Sequence, residues 1–310
     1  MNWLTKIKKF GDKIKKNIKK KFPTKEEIAN SDWTSCCQGP MLKQELEDNL
    51  WVCPNCNKHH RIEPRKRFDI LFGKNNYEIL KTPIIADDPL NWVDTKPYTQ
   101  RLKEARDKTN QSSAVMVATG YVDGIKITTA AVNFNFIGGS FGASEVEAIV
   151  YAVQYSIDNQ TPFFMQAAGG GMRMFESMIA LSGMTKTTLA INELKKNHLP
   201  YIVLFTDPTA GGITASFSML GDIHYSEKGA LIAFAGKRVV QATVKEELPH
   251  DFQTAEFLEK HGFIDRVIER KDIKKELSAI LSILLKRDSE VSSHDSNETS
   301  ELSIEAREAS

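Results

Sequence analysis

A run of apolar residues that ends in three consecutive glycines constrains the fold of this chain more than any other feature. The run reads Pro-Phe-Phe-Met-Gln-Ala-Ala-Gly-Gly-Gly-Met-Arg over residues 162–173. A helical pattern from Met172 to Asn197 follows at once, so the stretch predicts a buried strand, a tight turn and a helix N-terminus. Unpaired N–H groups at such a turn can hold a phosphate or an oxyanion. The competing interpretation is a plain turn whose small residues permit close packing.

A second junction of the same kind follows along the chain. Residues 201–206 have the pattern of a buried strand, 207–212 read Asp-Pro-Thr-Ala-Gly-Gly, and 213–220 form a small-residue helical pattern. Two such junctions in succession predict a layered α/β domain whose loops gather at one edge of the sheet. The other predicted strands are 115–122, 125–136, 229–234 and 263–268, and the other predicted helices are 62–72, 98–108, 143–158, 237–247, 254–261 and 271–287.

The two ends of the chain differ from this pattern. Residues 1–30 are rich in lysine, and a basic amphipathic helix there could touch a membrane surface or nucleic acid. We favour a solvated segment, because a short helix interrupted by Gly11 is marginal. Residues 288–310 are rich in serine and acidic residues with no apolar period, which predicts disorder. No apolar run approaches the roughly 20 residues of a membrane span.

All four cysteines lie between positions 36 and 56, which favours a metal site in a reducing cytosol over scattered disulfides. Cys53 and Cys56 form a C-x2-C knuckle, the usual half of a four-sulfur zinc ribbon. Cys36 and Cys37 are adjacent instead of spaced by two residues. We expect all four thiolates to bind Zn²⁺ in a ribbon of residues 31–60.

Two alternatives to this ligand set remain open. His59 and His60 follow the second knuckle and could replace a cysteine. A degenerate ribbon could also pack as a metal-free hairpin. A segment this small has too little apolar surface to be stable alone, so a metal ion would supply its stability.

Six short motifs, taken in order, resemble those of the carboxyltransferase β subunits of bacterial acetyl-coenzyme A carboxylases. They are Asn-Leu-Trp-Val-Cys-Pro-Asn-Cys at 49–56, Phe-Ile-Gly-Gly-Ser at 136–140, Gly-Gly-Met-Arg-Met at 170–174, Thr-Asp-Pro-Thr-Ala-Gly-Gly at 206–212, Phe-Ala-Gly-Lys-Arg-Val at 234–239 and Leu-Pro-His-Asp-Phe at 248–252. The resemblance covers nearly all of residues 1–287. It departs at the first knuckle, which is C-x2-C in that family.

The resemblance implies a crotonase-like α/β fold, in which ββα units wind into a spiral over residues 61–287 after the ribbon. It implies that a carboxyl group moves from carboxybiotin, held by the biotin carrier protein, to acetyl-coenzyme A. The product would be malonyl-coenzyme A for fatty acid synthesis. The implied partners are a carboxyltransferase α subunit in an α2β2 assembly, with the active site across the α/β interface, and biotin carboxylase. The implied compartment is the cytoplasm.

The resemblance also implies roles for single residues. Gly170 and Gly171 match the positions whose amides stabilise the enolate oxygen. Arg173 could pair with a coenzyme A phosphate or form a structural ion pair, and we hold both open. The remaining candidates for the substrate cleft are Gly138, Gly139, Ser140, Gly211 and Gly212. No histidine or carboxylate of the glycine loops is an evident base, and in the family the biotin ureido nitrogen takes that role.

Three other functions compete with this one. A related subunit could act on propionyl-coenzyme A, which pocket size would decide. A zinc-ribbon nucleic-acid binder would fit the lysine-rich start, but its basic residues lack an array of aromatic residues for base stacking, and a net charge of +1 does not favour a polyanion. A catalytically silent scaffold for the partner subunit is the third.

Overall fold

The computed structural model describes residues 33–36 and 39–286. The basic segment, Cys37 and the C-terminal tail therefore lie outside the described residues, and the predictions made for them stay predictions.

The described chain begins with a small hairpin and continues into one large mixed sheet. Strands β1 (Trp33–Cys36) and β2 (Gly39–Leu42) pair antiparallel. The large sheet contains β3 (Tyr77–Leu80), β4 (Val115–Val122), β5 (Ile125–Val132), β6 (Phe163–Gly169), β7 (Tyr201–Ala210), β8 (Ile223–Glu227), β9 (Ile232–Ala233) and β10 (Arg266–Ile268). Its order is β10-β8-β7-β6-β5-β4-β3, and β9 pairs with the end of β7.

Helices connect and cover these strands. They are α1 (Lys43–Asp48), α2 (Pro64–Phe72), α3 (Tyr98–Thr109), α4 (Ala143–Asp158), α5 (Ser177–Lys196), α6 (Lys237–Val244), α7 (Ala255–Lys260) and α8 (Ile273–Leu284). Within the described residues, no helix is both long enough and apolar enough to cross a bilayer.

The direction of the strands places the loops. Strands β5, β6, β7 and β8 are parallel, whereas β3 and β4 run antiparallel to their neighbours. The pair β4–β5 followed by α4 is one ββα unit, which the resemblance predicts. The carboxyl ends of β5, β6 and β7 meet at one edge, and each is followed by a glycine-containing loop.

Alternation along the strands divides the core between the two faces of the sheet. Phe163 packs in the cluster that also holds residues of α3, α4 and α5, whereas Phe164 packs with α2 and α8. Tyr201 and Ile202 divide in the same way on the next strand. A period of two puts successive side chains on opposite faces, so both faces of these central strands are buried.

The helix after the three glycines starts later than predicted. The pattern placed its start at Met172, but α5 begins at Ser177, after a short 3-10 turn over Met174–Glu176. Ser177 has φ +47°, a conformation that interrupts a continuous helix. The glycines are therefore separated from the helix N-terminus by several residues, and the helix dipole does not lie directly behind them.

Candidate active site and metal centre

The first two glycine loops are joined by backbone hydrogen bonds. The Gly170 N–H donates to the Gly138 carbonyl at 3.0 Å, and the Phe141 N–H donates to the Gly171 carbonyl at 2.9 Å. The Arg173 N–H then donates back to the Phe141 carbonyl at 2.7 Å. The loops after β5 and β6 therefore form one short parallel ladder at the carboxyl edge of the sheet.

Most glycines of these loops are explained by the close approach of one backbone to another. A Cβ on Gly169 would overlap the Gly139 carbonyl oxygen, and one on Gly139 would lie 2.9 Å from the Gly169 Cα. A Cβ on Gly211 would lie 3.1 Å from the Gly171 Cα, and one on Gly212 would overlap the Met172 side chain. Three loops thus pack backbone against backbone. For Gly139, Gly211 and Gly212, the interpretation as close-packing residues is sufficient.

Gly170 differs from its neighbours because nothing in the fold requires a glycine there. It is exposed, and its φ lies outside the left-handed region. A Cβ at this position would have the Gly138 carbonyl oxygen as its nearest atom, at 3.7 Å. Gly138 is likewise exposed and open on its Cβ side, although its φ of +65° does favour glycine. Gly138 and Gly170 therefore border open space above the ladder.

The structure contradicts one part of the expectation for Gly170 and Gly171. The Gly170 amide is not an unpaired donor, because it is bonded to Gly138. For the Gly171 N–H, no backbone acceptor is found within residues 39–286. Of the two amides predicted to receive an oxyanion, only the one at Gly171 has no backbone acceptor among the described residues, and Gly171 itself is buried.

Arg173 is held inside the protein, which corrects its interpretation as a phosphate partner. Its side chain is 2% exposed and lies 2.8 Å from Glu145 and 3.3 Å from Glu176. It also donates to the Ser140 carbonyl at 2.6 Å and to the Tyr98 hydroxyl at 3.0 Å. Burial alone would lower the pKa of Arg173, but the adjacent Glu145 carboxylate raises it. Arg173 is therefore charged, and its role is structural.

The two carboxylates of this network hold the same loops from the other side. Glu145 accepts from the Gly142 and Ala114 N–H groups at 2.9 Å each, and Glu176 accepts from the Ala143 N–H at 2.6 Å. Because these groups are buried and satisfied, the network fixes the loop after β5 against the loop after β6. Ser140 belongs to it, since its Oγ donates to the Ile137 carbonyl and accepts from Arg173.

Three cysteines form a cluster suited to a metal. The Sγ atoms of Cys36, Cys53 and Cys56 lie within 4.8 Å of one another, and those of Cys36 and Cys56 are 3.5 Å apart. Tetrahedral zinc with Zn–S bonds of about 2.3 Å places its sulfurs about 3.8 Å apart. The residues present therefore fit Zn²⁺, with one ligand still to be supplied, and Cys37 lies outside the described residues.

Neither histidine after the second knuckle belongs to this cluster among the described residues. The Nε2 of His59 lies 3.0 Å from the Glu269 carboxylate, so this ring faces the main domain. Burial lowers the pKa of His60, while its carbonyl accepts from Arg270 at 2.9 Å. The proposed replacement of a cysteine by a histidine thus has no support in the described geometry.

The ribbon is fixed to the main domain by a buried ion network that no sequence pattern predicted. Glu227 accepts from Arg67 at 3.0 Å and from Arg270 at 2.7 Å and 2.8 Å. Arg270 also donates to the Leu50 and Trp51 carbonyls at 3.0 Å and 3.2 Å. These partners are far apart in sequence, and no local spacing indicates them.

The sequence matches those of known proteins over most of its length. The carboxyl transferase domain family matches residues 88–284. The acetyl-coenzyme A carboxylase carboxyl transferase subunit beta of Pelagibacter ubique (strain HTCC1062) is 62% identical over 301 residues, which is 97% of each chain. The subunit of the same name from Rhizobium rhizogenes is 42% identical over 92% of this chain and 93% of its own.

Solved structures give the same fold at lower identity. A malonate decarboxylase heterodimer from Pseudomonas matches with a TM-score of 0.55 and 18% identity, over 72% of this chain and 86% of that chain. Transcarboxylase 12S matches with a TM-score of 0.58 and 17% identity, over 91% of this chain and 48% of that chain. The predicted crotonase-like α/β fold is confirmed. The chain belongs to the family of acetyl-coenzyme A carboxylase carboxyltransferase β subunits.

Proposed function

We propose that the chain transfers a carboxyl group from carboxybiotin, carried on the biotin carrier protein, to the methyl carbon of acetyl-coenzyme A. The product is malonyl-coenzyme A, and the place of the reaction is the cytoplasm, whose reducing conditions keep the clustered thiols available for a metal. The observation that carries the proposal is the set of glycine loops at the carboxyl ends of parallel strands. Ligands of open α/β sheets bind at such edges.

We assign the thioester of acetyl-coenzyme A to the space above the ladder, which Gly138 and Gly170 leave open. Removal of a methyl proton puts negative charge on the thioester oxygen, and the Gly171 N–H is the donor we assign to it. One positioned donor of this kind contributes roughly 3–4 kcal/mol to lowering the barrier. Gly170 contributes by its missing side chain, not by its amide. Gly139, Ser140, Gly211 and Gly212 shape the loops beneath the substrate.

No side chain of this chain is assigned as the base. Carboxybiotin, as the second substrate, brings its own proton acceptor, because the ureido nitrogen that loses the carboxyl group can take the methyl proton. The chain's part is to hold the thioester, stabilise the oxygen and keep the loops fixed through Arg173, Glu145 and Glu176. Such catalysis is positioning plus electrostatic stabilisation.

In this proposal, a partner subunit completes the active site. The segment after the second glycine loop exposes apolar side chains: Met174 (79% exposed) in the 3-10 turn, and Met178 (69%), Leu181 (49%) and Leu189 (59%) at helical spacing along α5. Exposed apolar faces of this kind mark protein contacts. We assign this face to the α subunit in an α2β2 assembly, and biotin carboxylase supplies the carboxylated carrier.

We also propose that Cys36, Cys37, Cys53 and Cys56 hold one structural Zn²⁺. The fit of three sulfurs supports the assignment, and zinc would supply the folding energy that a ribbon of this size lacks. The metal has no step in the carboxyl transfer.

The rate of malonyl-coenzyme A formation tests the proposal. We expect turnover from the chain with the α subunit, acetyl-coenzyme A and the carboxylated carrier, and none from the chain alone. Full activity without the α subunit would overturn the assignment of the interface. The rate with propionyl-coenzyme A in the same assay shows whether the chain acts on that substrate instead. Salt-dependent binding to DNA or RNA in place of turnover would favour the nucleic-acid alternative.

A further inference from the structure

Arg61 lies where the chain leaves the ribbon, and its side chain reaches the edge of the sheet that carries the glycine loops. Its Nε donates to the Asp207 carbonyl at 3.1 Å, and a terminal nitrogen donates to the Asp207 carboxylate at 3.2 Å. Its guanidinium carbon lies 4.1 Å from the centroid of the Phe134 ring. Phe134 follows β5, and Asp207 precedes Thr209, the residue that pairs with Gly169. Arg61, the first residue after the ribbon, therefore contacts β7 and the loop that follows β5.

This arrangement differs from an ordinary surface ion pair. Exposed pairs usually involve mobile side chains and contribute little to stability. The Arg61 guanidinium is instead oriented by a stacked ring, a carbonyl and a carboxylate. It is still 48% exposed, and within the described residues its second terminal nitrogen has no acceptor. A pre-oriented guanidinium with unused donors suits an oxyanion, to which arginine can donate two parallel hydrogen bonds.

Two other basic residues, Arg173 and Lys237, already have partners within the protein. Arg173, for which a phosphate contact was one of two open interpretations, is buried in its own network. Lys237 donates to the Pro249 and His250 carbonyls at 3.0 Å and 3.4 Å. Asp207 would keep a partner if Arg61 turned to a ligand, because its other oxygen accepts from the Leu231 N–H at 3.2 Å. A shift of Arg61 from Asp207 to an incoming anion would thus leave no charge buried alone.

We propose that Arg61 binds an oxyanion of the acyl-coenzyme A at the mouth of the glycine site, so that the first residue after the ribbon contributes a substrate contact. The inference rests on the proposed carboxyl transfer. Acyl-coenzyme A offers two such groups: the phosphates of its nucleotide half, and the free carboxylate of the malonyl product. Both are planar or tetrahedral oxyanions that a guanidinium recognises in the same way.

The test compares Arg61→Ala and Arg61→Lys in the assembled complex, with three thioesters. They are acetyl-coenzyme A, acetyl-pantetheine, which lacks the nucleotide phosphates, and malonyl-coenzyme A in the reverse direction. Loss of a charge-assisted contact predicts a KM raised about tenfold for the thioester that carries the recognised oxyanion, with partial rescue by lysine. Arg266→Ala is the matched control, since Arg266 is an exposed arginine (58%) paired with Glu276 at 2.7 Å, and its KM values should stay at wild type.

Each result decides the proposal. A raised KM for acetyl-coenzyme A with acetyl-pantetheine unchanged identifies a phosphate, and a raised KM for malonyl-coenzyme A alone identifies the carboxylate. Unchanged KM values, or equal increases for all three thioesters, would show that Arg61 binds no oxyanion and would overturn the inference. Those results require an active wild-type complex, whereas failure of the wild-type complex to form malonyl-coenzyme A would refute the carboxyl transfer itself. The two failures are therefore distinguishable.

Discussion

The carboxylate of Glu176 accepts a hydrogen bond from the Ala143 N–H at 2.6 Å, so a residue of the second glycine loop binds the start of the helix that follows the first. The same carboxylate accepts from the Tyr98 hydroxyl at 2.6 Å. Arg173 lies between Glu176 and Glu145 and closes the network. The loops of the site are thus positioned by charges buried behind them.

Removing the central cation of this network should destabilise the protein strongly. Arg173→Met would leave Glu145, a fully buried carboxylate, without its ion-pair partner. Breaking one side of such a buried pair costs about 3–5 kcal/mol. Urea denaturation measures the change in the free energy of unfolding.

Arg266→Met serves as the control for that measurement. Arg266 pairs with Glu276 at a surface where its side chain is 58% exposed, so the expected change is below about 1 kcal/mol. Equal stability of the Arg173 and Arg266 variants would contradict the structural role of the network.

The network at the ribbon predicts a dependence of stability on pH. Burial would raise the pKa of Glu227, but the charges of Arg67 and Arg270 hold it well below the usual 4.5. A carboxylate with a lowered folded-state pKa stabilises the protein fully above its unfolded pKa, and this contribution is lost as the pH falls below about 4.5 toward the folded pKa. Glu227→Gln should therefore reduce the free energy of unfolding at pH 7 and flatten its decline in acid.

Urea titrations between about pH 7 and pH 3 measure this effect. Glu193→Gln is the control, since Glu193 is 57% exposed in its pair with Lys196, and its acid decline should match that of the wild type. An unaltered acid decline in Glu227→Gln would show that this carboxylate does not set the acid sensitivity of the fold.

The cysteine cluster predicts a loss of metal and of ribbon structure together. Cys53→Ser removes a buried ligand, so zinc per chain should fall and residues 39–60 should become sensitive to protease. The main domain should remain folded and resistant to protease, because its two core clusters contain no residue of the ribbon. Elemental analysis and limited proteolysis check both effects.

The same measurement on Cys37→Ser decides the fourth ligand. We expect zinc to be lost as in Cys53→Ser. Full zinc content in that variant would assign the fourth position to a group other than Cys37.

Elements with a strong local period were predictable from the sequence. The strand Val115–Val122 and the helix Ala143–Asp158 occur with the predicted bounds, because their apolar spacing and the turn signals beside them agree. The strand at 125–136 ends earlier, at Val132. The strand Ile223–Glu227 was missed, since its half-polar sequence has no clear alternation and it forms by pairing with β7.

The site was predictable in outline but not in its contacts. Parallel strands bring their carboxyl ends together, so the meeting of the glycine loops followed from the sequence. The partner of Gly170 and the burial of Arg173 did not, because each depends on a loop more than thirty residues away. Arg61 carries no local signal at all, since its partner Asp207 is 146 residues distant.

Alanine at Gly170 tests the central claim, that an acyl thioester lies directly above this residue. The backbone there suits alanine, so Gly170→Ala should change the free energy of unfolding by less than about 1 kcal/mol. Gly169→Ala is the comparison, because φ +131° and the nearby Gly139 carbonyl should make it destabilising.

The decisive measurement is kcat/KM for malonyl-coenzyme A formation by the assembled complex with Gly170→Ala. We predict a loss of about a hundredfold at unchanged thermal stability, since a methyl group would displace the thioester by about 1 Å. Wild-type kcat/KM in this variant would contradict the placement of the substrate on the glycine loops.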